Sequence, residues 1–412
     1  MANAEKDVQH VFICGAKSVG QYGGYETFVD KLTEYLQDDP RIRLHVTCKA
    51  NGEGFMDESR LAGIRRLSES EFEYNNAHCV KLPVPNIGPA VAIYYDRAAV
   101  LWCIRYCREH HIPHPIVYIL TCRIGPFTAG LKRRLLALGG TLELNPDGHE
   151  WMREKWSPPV RRYWKLSEQL MVKHSDRIVC DSVNIERYIR SEYARFRPDT
   201  TFIAYGAELE PSPLKDDDPL LTGWMGEKGL KKDGYYLVVG RFVPENNYET
   251  MLREFMRSDT EKDFALITNM NQKLLEQLED KLHFRSDPRI KFVGSVYDQA
   301  LLKKIRENAY AYFHGHEVGG TNPSLLESLG ATKLNLLLNV GFNREVGEDA
   351  ALYWTKESGD LAALIARADG LSADDREQLG ERAKARIREY YSWPYIAGRY
   401  RELWTGEGEA VR

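Results

Sequence analysis

The chain has 412 residues, and a single hydrophobic core stops growing at roughly 250–300 residues, so we expect two domains. Its hydrophobic and charged fractions, 43% and 28%, are those of an ordinary globular protein and exclude a disordered, collagen-like or rod-like chain. The net charge of −4 argues against nucleic acid as the main partner.

Strand and helix patterns alternate through the first half of the chain. A short apolar run at 11–14 predicts a buried strand, and apolar residues at helical spacing over 26–37 predict an amphipathic helix. Further strands are predicted at 42–47, 116–120, 141–144, 178–180 and 202–204. This order is typical of a parallel sheet covered by helices.

The alternation stops at 208–233, a polar stretch with several prolines that we interpret as a linker between domains. It then restarts, with strands predicted at 235–239, 264–268, 290–293, 309–313 and 334–339 and helices at 271–282 and 298–308. The aromatic segment 392–412 has a helical pattern and can pack back on the first domain.

The fold class that these patterns predict is α/β, with two doubly wound Rossmann-like domains at 1–207 and 234–391. Ligands of such sheets bind beyond the carboxyl ends of the strands. We therefore expect the site in a cleft where the strand ends of the two domains face each other.

The seven cysteines all lie in the first half, without a C-x-x-C pair, which is typical of buried thiols in a reduced, cytosolic protein. No stretch has the roughly 20 apolar residues needed to cross a bilayer, and residues 1–10 are too polar for a signal peptide. We expect a cytoplasmic protein whose membrane contact is at most peripheral.

A glycine-rich loop at 15–24 joins the first strand to the first helix. Such loops bring backbone N–H groups and a helix N-terminus up to an anion. The spacing of its glycines matches neither a P-loop nor a dinucleotide fingerprint. A simple turn into the helix is the alternative interpretation.

The strand at 141–144 is followed by Asp147, His149 and Glu150, a carboxylate, an imidazole and a second carboxylate where chemistry usually sits. An ordinary Asp-Gly turn is the alternative.

The stretch from Trp151 to Lys173 is basic and aromatic. Residues of this kind suit contact with an anionic membrane surface or with an acceptor that carries a diphosphate. A solvated helix face is equally compatible with its residues, which include Arg153, Lys155, Trp156, Arg161 and Arg162.

In the second half, Arg241 follows the strand 235–239, where a guanidinium could hold a diphosphate; a surface ion pair is the alternative. The stretch 316–327 combines a glycine pair with the start of a helix, whose free N–H groups could meet a diphosphate or a sugar. Glu327 is about one turn into that helix and could accept hydrogen bonds from a ribose diol. The alternative is that it has no ligand and is a negative side chain near the helix N-terminus, where the helix dipole stabilises it.

Four stretches, 21–28, 145–156, 238–242 and 319–327, together resemble glycosyltransferase family four, retaining enzymes of GT-B fold. The first two more narrowly resemble bacterial capsule and cell-wall rhamnosyltransferases with an N-terminal domain of formerly unknown function. The resemblance covers nearly the whole chain.

The resemblance implies that Arg241 binds the donor diphosphate, that Glu327 binds the nucleotide ribose and that Asp147 or His149 lies near the reacting sugar. Its remaining implied donor contacts are Gly23, Gly24, Gly319, Gly320, Thr321 and Asn322. Two positions depart from the family pattern. A lysine usual five residues after the arginine is Asn246, and a glutamate usual eight residues before Glu327 is Gly319, for which Glu317 is a candidate substitute.

The implied donor is dTDP-rhamnose, the implied acceptor hydroxyl is the 4-hydroxyl of a glucose linked by diphosphate to undecaprenol, and no metal or other cofactor is expected. Three other functions stay open. A GT-B epimerase would need no acceptor, and a non-catalytic nucleotide-sugar-binding subunit would explain the two departures. An oxidoreductase is disfavoured by the missing dinucleotide fingerprint.

Overall fold

The computed structural model describes residues 8–21, 23–153 and 156–407. They form two domains, one built from residues 8–205 and 393–407 and the other from residues 206–392. Each domain is built around one sheet made largely of parallel strands, as the sequence predicts. No helix in these described stretches is long and apolar enough to cross a membrane.

The first domain, over its described residues, contains nine strands in the order β3-β4-β5-β2-β1-β6-β7-β8-β9. The strands are β1 Gln9–Cys14, β2 Ile42–Lys49, β3 Arg65–Arg66, β4 Glu71–Tyr74, β5 Ala77–Leu82, β6 Ile116–Leu120, β7 Thr141–Asn145, β8 Arg177–Cys180 and β9 Thr200–Phe202. Strand β4 runs antiparallel to β3 and β5, and the other neighbours are parallel. The helices are α1 Gly24–Leu36, α2 Val91–Glu109, α3 Gly125–Leu136, α4 Pro158–His174 and α5 Val183–Glu192, together with α14 Trp393–Thr405 from the end of the described chain.

Helices bury both faces of this sheet, because successive strand residues point to opposite sides. Val117 packs into a core that includes Cys103 of α2 and Leu131 of α3. Tyr118 points to the other side, where its hydroxyl lies 2.9 Å from the hydroxyl of Tyr400 in α14. Helix α14 therefore completes the first domain although it follows the second domain in the chain.

The second domain has the sheet order β12-β11-β10-β13-β14-β15, with all pairs parallel, over the described chain. The strands are β10 Tyr235–Val239, β11 Asp263–Ile267, β12 Ile290–Gly294, β13 Ala311–His314, β14 Asn335–Leu338 and β15 Leu352–Trp354. The helices are α6 Pro219–Lys228, α7 Tyr248–Arg257, α8 Gln272–Leu282, α9 Gln299–Glu307, α10 Pro323–Ala331, α11 Gly341–Gly347, α12 Asp360–Asp369 and α13 Ala373–Tyr390.

The stretch 208–233, which we interpreted as a linker, contains helix α6 and is part of the second domain. Leu221 and Leu230 are buried in a core cluster with Leu237 of the sheet and Ile305 of α9. The prolines that suggested a linker are exposed, whereas Leu221 and Leu230 of the same segment pack inward. The interpretation of this polar, proline-containing stretch as a linker between domains was therefore wrong.

Two predicted strands are displaced. The apolar run 202–204 predicted a strand that instead covers Thr200–Phe202, because Ile203 and Ala204 are buried after the strand pairing has nearly ended. The run 309–313 is likewise shifted to Ala311–His314. Burial and strand pairing overlap only partly at the ends of short strands.

All seven cysteines are free and buried.

Candidate active site

The first domain places polar loops at the carboxyl ends of β1, β6, β7 and β8, four neighbouring parallel strands. The loop after β7 is the most unusual of them. Asp147, Gly148 and His149 have φ angles of 59°, 87° and 55°, so two non-glycine residues occupy the left-handed region. A Cβ atom on Gly148 would lie 2.3 Å from Cδ1 of Ile185. Such backbone strain persists only where the surroundings enforce it, and it concentrates at functional sites.

Asn145, the last residue of β7, holds this loop in place. Its Oδ1 accepts a hydrogen bond from the backbone N–H of Asp147 at 2.9 Å. Its backbone carbonyl accepts one at 2.8 Å from Thr121, which follows β6 and has a φ of 86°. The loops after β6 and β7 are therefore fixed to each other, and both hold strained residues.

The carboxyl of Asp147 is the centre of a charged group of side chains. Its Oδ2 lies 3.9 Å from Nη2 of Arg153, and its side chain is 26% exposed. Burial raises the pKa of Asp147 above its ordinary value, while Arg153 and Arg123 lower it and Glu150 raises it. This carboxyl can accept a hydrogen bond from a hydroxyl group and, because its pKa is raised, it is better suited than an ordinary aspartate to hold a proton.

Tyr25 connects Asp147 to the glycine-rich loop. Burial raises the pKa of the Tyr25 phenol well above its usual range, and the carboxylate of Asp147, the neighbouring phenol of Tyr205 and the carboxylate of Asp181 raise it further. Tyr25 is therefore a neutral O–H group next to a carboxylate. Helix α1 begins one residue earlier, at Gly24, with Gly23 as its N-cap. The structure thus brings the predicted glycines and Asp147 into one region.

Arg123 is a cation at this site that the sequence reasoning missed. Its Nη1 atom donates to the backbone carbonyl of Gly15 at 3.4 Å and lies 3.2 Å from Oδ2 of Asp96. Burial raises the pKa of Asp96 to about 6, against the attraction of Arg123. The arginine follows β6 closely, so the strand-end rule applied to β6 as well as to β7 would have singled it out.

His149 is turned to a different set of side chains. Its ring lies 4.2 Å from the ring of Tyr188, between centroids, and 6.1 Å from that of Trp151. Burial lowers the pKa of His149, and the ammonium group of Lys165 lowers it further. The imidazole is therefore neutral at neutral pH, and its contacts are aromatic.

The predicted acceptor surface is largely used for contacts within the domain. Nε of Arg153 lies 2.6 Å from Oε2 of Glu150, and the indole of Trp156 donates to Oε1 of Glu150 at 2.7 Å. Nε of Arg161 donates to the backbone carbonyl of Trp156 at 3.0 Å. Arg162 is exposed, and Lys155 lies outside the described residues. Of this set, Arg162 best keeps the solvent-facing position that the prediction requires.

In the second domain, the loops after β10 and β13 are joined to each other. Asn246 donates from Nδ2 to the backbone carbonyl of Arg241 at 2.7 Å, and its Oδ1 lies 2.8 Å from Nδ1 of His316. Gly315 approaches so closely that a Cβ atom there would lie 2.3 Å from the backbone oxygen of Asn246. Asn246 is therefore a structural bridge between the two loops.

Arg241 itself is exposed, and within the described residues its side chain forms neither an ion pair nor a hydrogen bond. The start of α10 is tied to the end of the same strand, because Oγ of Ser324 donates to the backbone carbonyl of Val239 at 3.0 Å. Asn322 caps α10 by accepting from the N–H of Ser324 at 2.9 Å. An arginine and a helix N-terminus thus adjoin one strand end, a combination that suits an anion.

The remaining predicted residues lie around α10. Gly319 has a φ of 125°, a conformation that glycine adopts most readily, and Gly320 and Thr321 are buried. Glu317 is in an ion pair, with Oε2 2.7 Å from Nζ of Lys356. Glu327 lies in the second turn of α10, with its side chain 38% exposed.

Arg306 of α9, which the sequence reasoning also missed, supports Glu327. Its Nη2 lies 2.6 Å from Oε2 of Glu327 and 3.4 Å from Oγ of Ser324. The arginine is 4% exposed, so a nearly buried cation holds the outer carboxylate. No signal in the sequence distinguishes Arg306 from other helix arginines.

The two Rossmann-like domains make up a GT-B fold. Residues 8–208 match the profile of a domain of unknown function, DUF1972. No curated protein matches the chain in sequence.

Three solved structures illustrate the likeness in fold. Sucrose-phosphate synthase from Thermosynechococcus elongatus has a TM-score of 0.74 at 14% identity, over 98% of this chain and 100% of that one. A glycosyltransferase from Rickettsia africae has a TM-score of 0.72 at 11% identity, over 98% and 100%. HepE from Anabaena in complex with UDP has a TM-score of 0.68 at 13% identity, over 97% and 100%. At these identities the likeness establishes the fold.

Proposed function

We propose that this protein is a retaining glycosyltransferase that takes a sugar from a nucleoside diphosphate donor. The observation that carries the proposal is the group formed by Arg241, the start of α10 and Glu327 in the second domain. A guanidinium and free helix N–H groups suit a diphosphate, and a fixed carboxylate suits a ribose diol. HepE, which has this fold, was solved with UDP and with UDP-glucose, which supports the same use of the fold here.

The donor we propose is dTDP-rhamnose, and the acceptor is the 4-hydroxyl of a glucose linked by diphosphate to undecaprenol, in capsule or cell-wall polysaccharide synthesis. The support is the resemblance of the stretches 21–28 and 145–156 to rhamnosyltransferases. An acceptor of this kind places the protein at the cytoplasmic face of the cell membrane, in peripheral contact. The exposed Arg162 on α4 suits that contact.

In the reaction we propose, the bond between the anomeric carbon and the diphosphate oxygen breaks, and the acceptor oxygen forms the new bond on the same face of the sugar. The acceptor proton passes to the departing diphosphate. Arg241 and the start of α10 stabilise the negative charge that develops on the diphosphate. Asp147 and Tyr25 bind hydroxyl groups of the reacting sugars, one as acceptor and the other as donor. No metal has a role in these steps.

The proposal is tested by incubating the purified chain with a panel of labelled nucleotide sugars and a glucosyl-diphosphate lipid, with a chelator present. We expect label to enter the lipid from dTDP-rhamnose. Arg241→Ala should lower kcat/KM by roughly a hundredfold, as the loss of one charge-assisted contact to a developing anion does. Glu327→Gln, which weakens the proposed contact to the ribose, should instead raise the KM for the donor by roughly tenfold. Arg285→Ala removes an exposed arginine from the same domain and is the matched control, which should keep full activity.

Each other outcome points to a defined alternative. Transfer from a different donor keeps the reaction and rejects rhamnose. Conversion of the donor sugar without an acceptor identifies an epimerase. Tight donor binding with no turnover identifies a non-catalytic binding subunit, which the Glu317–Lys356 ion pair favours because it occupies the candidate sugar-contacting carboxylate.

A further inference from the structure

A cavity of about 690 Å³ lies in the first domain beside β9, the last strand of its sheet in the described part of the chain. Its walls come from α5, the starts of β8 and β9, and the end of α14. None of its lining residues belongs to the candidate active site at the carboxyl ends of β1, β6 and β7. The volume is within the range of roughly 300–1,000 Å³ that is usual for small-molecule sites.

Arginines dominate the charge of this cavity. Four of them line it, Arg177, Arg190, Arg197 and Arg399, against two carboxylates, Asp199 and Glu402. The excess is local, because the whole chain carries a net charge of −4. Cationic groups that line one concave site attract and hold anions.

Arg197 is the least engaged of the four. It is exposed, and within the described residues its side chain has no ion pair or hydrogen bond. Its backbone is left-handed, with φ 49° and ψ 55°, at the end of a short 3₁₀ turn. A non-glycine residue in that conformation is held there by its surroundings, and here it sits at the cavity wall.

The other arginines retain donors that their partners do not use. Nε of Arg190 donates a hydrogen bond to Oγ1 of Thr200, and its Nη2 forms an ion pair with Oε1 of Glu186. Arg399 uses Nη1 for the hydroxyl of Tyr395, and its Nε lies 3.9 Å from Glu402. A guanidinium has five N–H donors, so each can add bonds to a ligand without losing these contacts.

We propose that this cavity binds a small molecule that carries phosphate groups, at a place separate from the donor and acceptor sites. The planar fork of arginine matches two oxygens of one phosphate, and several such forks lining one cavity suit a diphosphate. The cavity's size fits a ligand of nucleotide dimensions.

Binding in this cavity is coupled to a buried carboxyl. Nε of Arg177 lies 3.0 Å from Oδ2 of Asp199, and its Nη1 lies 4.0 Å from Oε1 of Glu143 behind the wall. Burial raises the pKa of Glu143 to about 7; the indole of Trp404 and the guanidinium of Arg177 lower it, and the carboxylates of Asp176 and Asp199 raise it. A phosphate that draws Arg177 towards the cavity favours protonated Glu143. Ligand binding near neutral pH should therefore take up a proton.

The test is calorimetric titration with inorganic pyrophosphate, performed on the full chain with Arg241→Ala so that the proposed donor site does not compete. We expect binding to persist in this background and to weaken roughly tenfold with Arg197→Ala or Arg399→Ala, the loss of one or two charge-assisted bonds. Arg195→Ala is the matched control, since Arg195 is a neighbouring exposed arginine whose guanidinium lies over the ring of Phe196. The observed enthalpy should also depend on the ionisation enthalpy of the buffer.

Two results would overturn the proposal. One is the absence of pyrophosphate binding in the Arg241→Ala background. The other is binding that Arg197→Ala and Arg399→Ala leave unchanged. A phosphate on a lipid headgroup has the same chemistry, so vesicles of phosphatidylglycerol form a second arm. Binding of the protein to these vesicles, without binding of soluble pyrophosphate, would contradict a small-molecule site. Because the pyrophosphate titration is done with the Arg241→Ala variant, an absence of binding to the cavity would not contradict the proposed transferase activity. A negative result in the transfer assay would likewise not contradict binding to the cavity.

Discussion

Nη2 of Arg306 lies 2.6 Å from Oε2 of Glu327, and the two side chains differ sharply in exposure, 4% for the arginine and 38% for the glutamate. The pair joins α9 to α10. A nearly buried cation therefore sets the direction of a carboxylate that reaches solvent. We propose that this carboxylate binds the ribose of the donor, so Arg306 is a positioning residue.

We expect Arg306→Met to raise the KM for the donor by roughly tenfold with a smaller change in kcat, because Glu327 remains but is no longer oriented. Methionine keeps most of the buried volume and removes the charge, so the free energy of unfolding should change by less than about 1.5 kcal/mol. Steady-state kinetics and urea unfolding of the same preparations measure both quantities.

Glu327→Gln provides the contrast, because it leaves a nearly buried arginine without its counter-charge. We expect it to lower the free energy of unfolding by about 1–3 kcal/mol, less than for a fully buried pair since Glu327 is partly exposed. If Arg306→Met lowered kcat and left KM unchanged, Arg306 would not be positioning Glu327 for donor binding.

A second prediction concerns three histidines on neighbouring strands of the first domain. Nδ1 of His10 lies 2.9 Å from Nε2 of His45, whose Nδ1 lies 3.2 Å from Nδ1 of His78. Nε2 of His78 lies 3.3 Å from Oε2 of Glu71. If the carboxylate accepts from His78, then His45 donates to His78 and His10 donates to His45, so the rings of His45 and His78 must be neutral because each also accepts. Protonation of His45 at Nε2 would place its N–H group opposite the N–H group at Nδ1 of His10, so that their hydrogen bond would be replaced by a repulsive contact.

We expect stability to fall on acidification because of this chain. Burial lowers the pKa of each of the three histidines, most of all that of His45, and Arg43 lowers them further. The unfolded chain therefore binds protons that the folded chain does not, below the ordinary histidine value of about 6.5. The free energy of unfolding should decrease by up to about 1.4 kcal/mol per pH unit for each group that titrates. Urea unfolding between about pH 8 and about pH 5 measures this.

His45→Gln isolates the contribution, because glutamine keeps one donor and one acceptor and does not titrate. The difference in stability between the native chain and this variant should shift in favour of the variant as the pH falls. The comparison also removes the opposite contribution of carboxyls with raised pKa values, such as Asp96. His283→Asn, at an exposed histidine, is the control. A difference that does not change with pH would show that the chain of rings tolerates protonation.

Much of this fold follows from local sequence patterns. The apolar runs of β1, β6 and β10 are short, nearly continuous and bounded by glycine or polar residues, so their period and length identify buried strands. The placement of Glu327 in the second turn of α10 follows in the same way from the helix start at Pro323.

Other features depend on contacts between distant parts of the chain, which local patterns do not encode. Arg306 is identified only by what it faces after folding, the partly exposed carboxylate of Glu327. Strand β4, Glu71–Tyr74, alternates glutamate with an aromatic residue, but nothing in this four-residue run shows that it pairs antiparallel with β5 near the edge of the first sheet. Asn246 shows the same limit, because its role as a bridge appears only when its partner His316 is placed.

A third prediction concerns Glu143, a carboxyl on β7 that is 2% exposed and whose Oε2 accepts from the indole of Trp404 at 3.0 Å. Burial raises its pKa to about 7, well above the unfolded value of about 4.3. Its contribution to stability is therefore fully present below the unfolded value and is lost as the pH rises through about 7. Glutamine in its place stays neutral and can still accept from Trp404.

We expect the stability of Glu143→Gln relative to the native chain to increase by roughly 2–3 kcal/mol between about pH 5 and about pH 8. Urea unfolding at both values measures the change, and Glu69→Gln, at an exposed glutamate, should show no such trend. Equal stabilities of Glu143→Gln and the native chain at both values would mean that Glu143 ionises without a penalty.

The last prediction concerns Gly315, where the loops after β10 and β13 meet. A Cβ atom there would lie 2.3 Å from the backbone oxygen of Asn246, which cannot move aside as a flexible side chain would. Gly315→Ala should therefore cost about 1–3 kcal/mol in the free energy of unfolding and, by separating the loops, should raise the KM for the donor. Gly223→Ala is the control, because a Cβ atom on that glycine of α6 would have no neighbour within 4 Å, and this variant should gain about 0.5–1 kcal/mol. If both variants were equally stable and active, the close approach of these loops would have no part in forming the donor site.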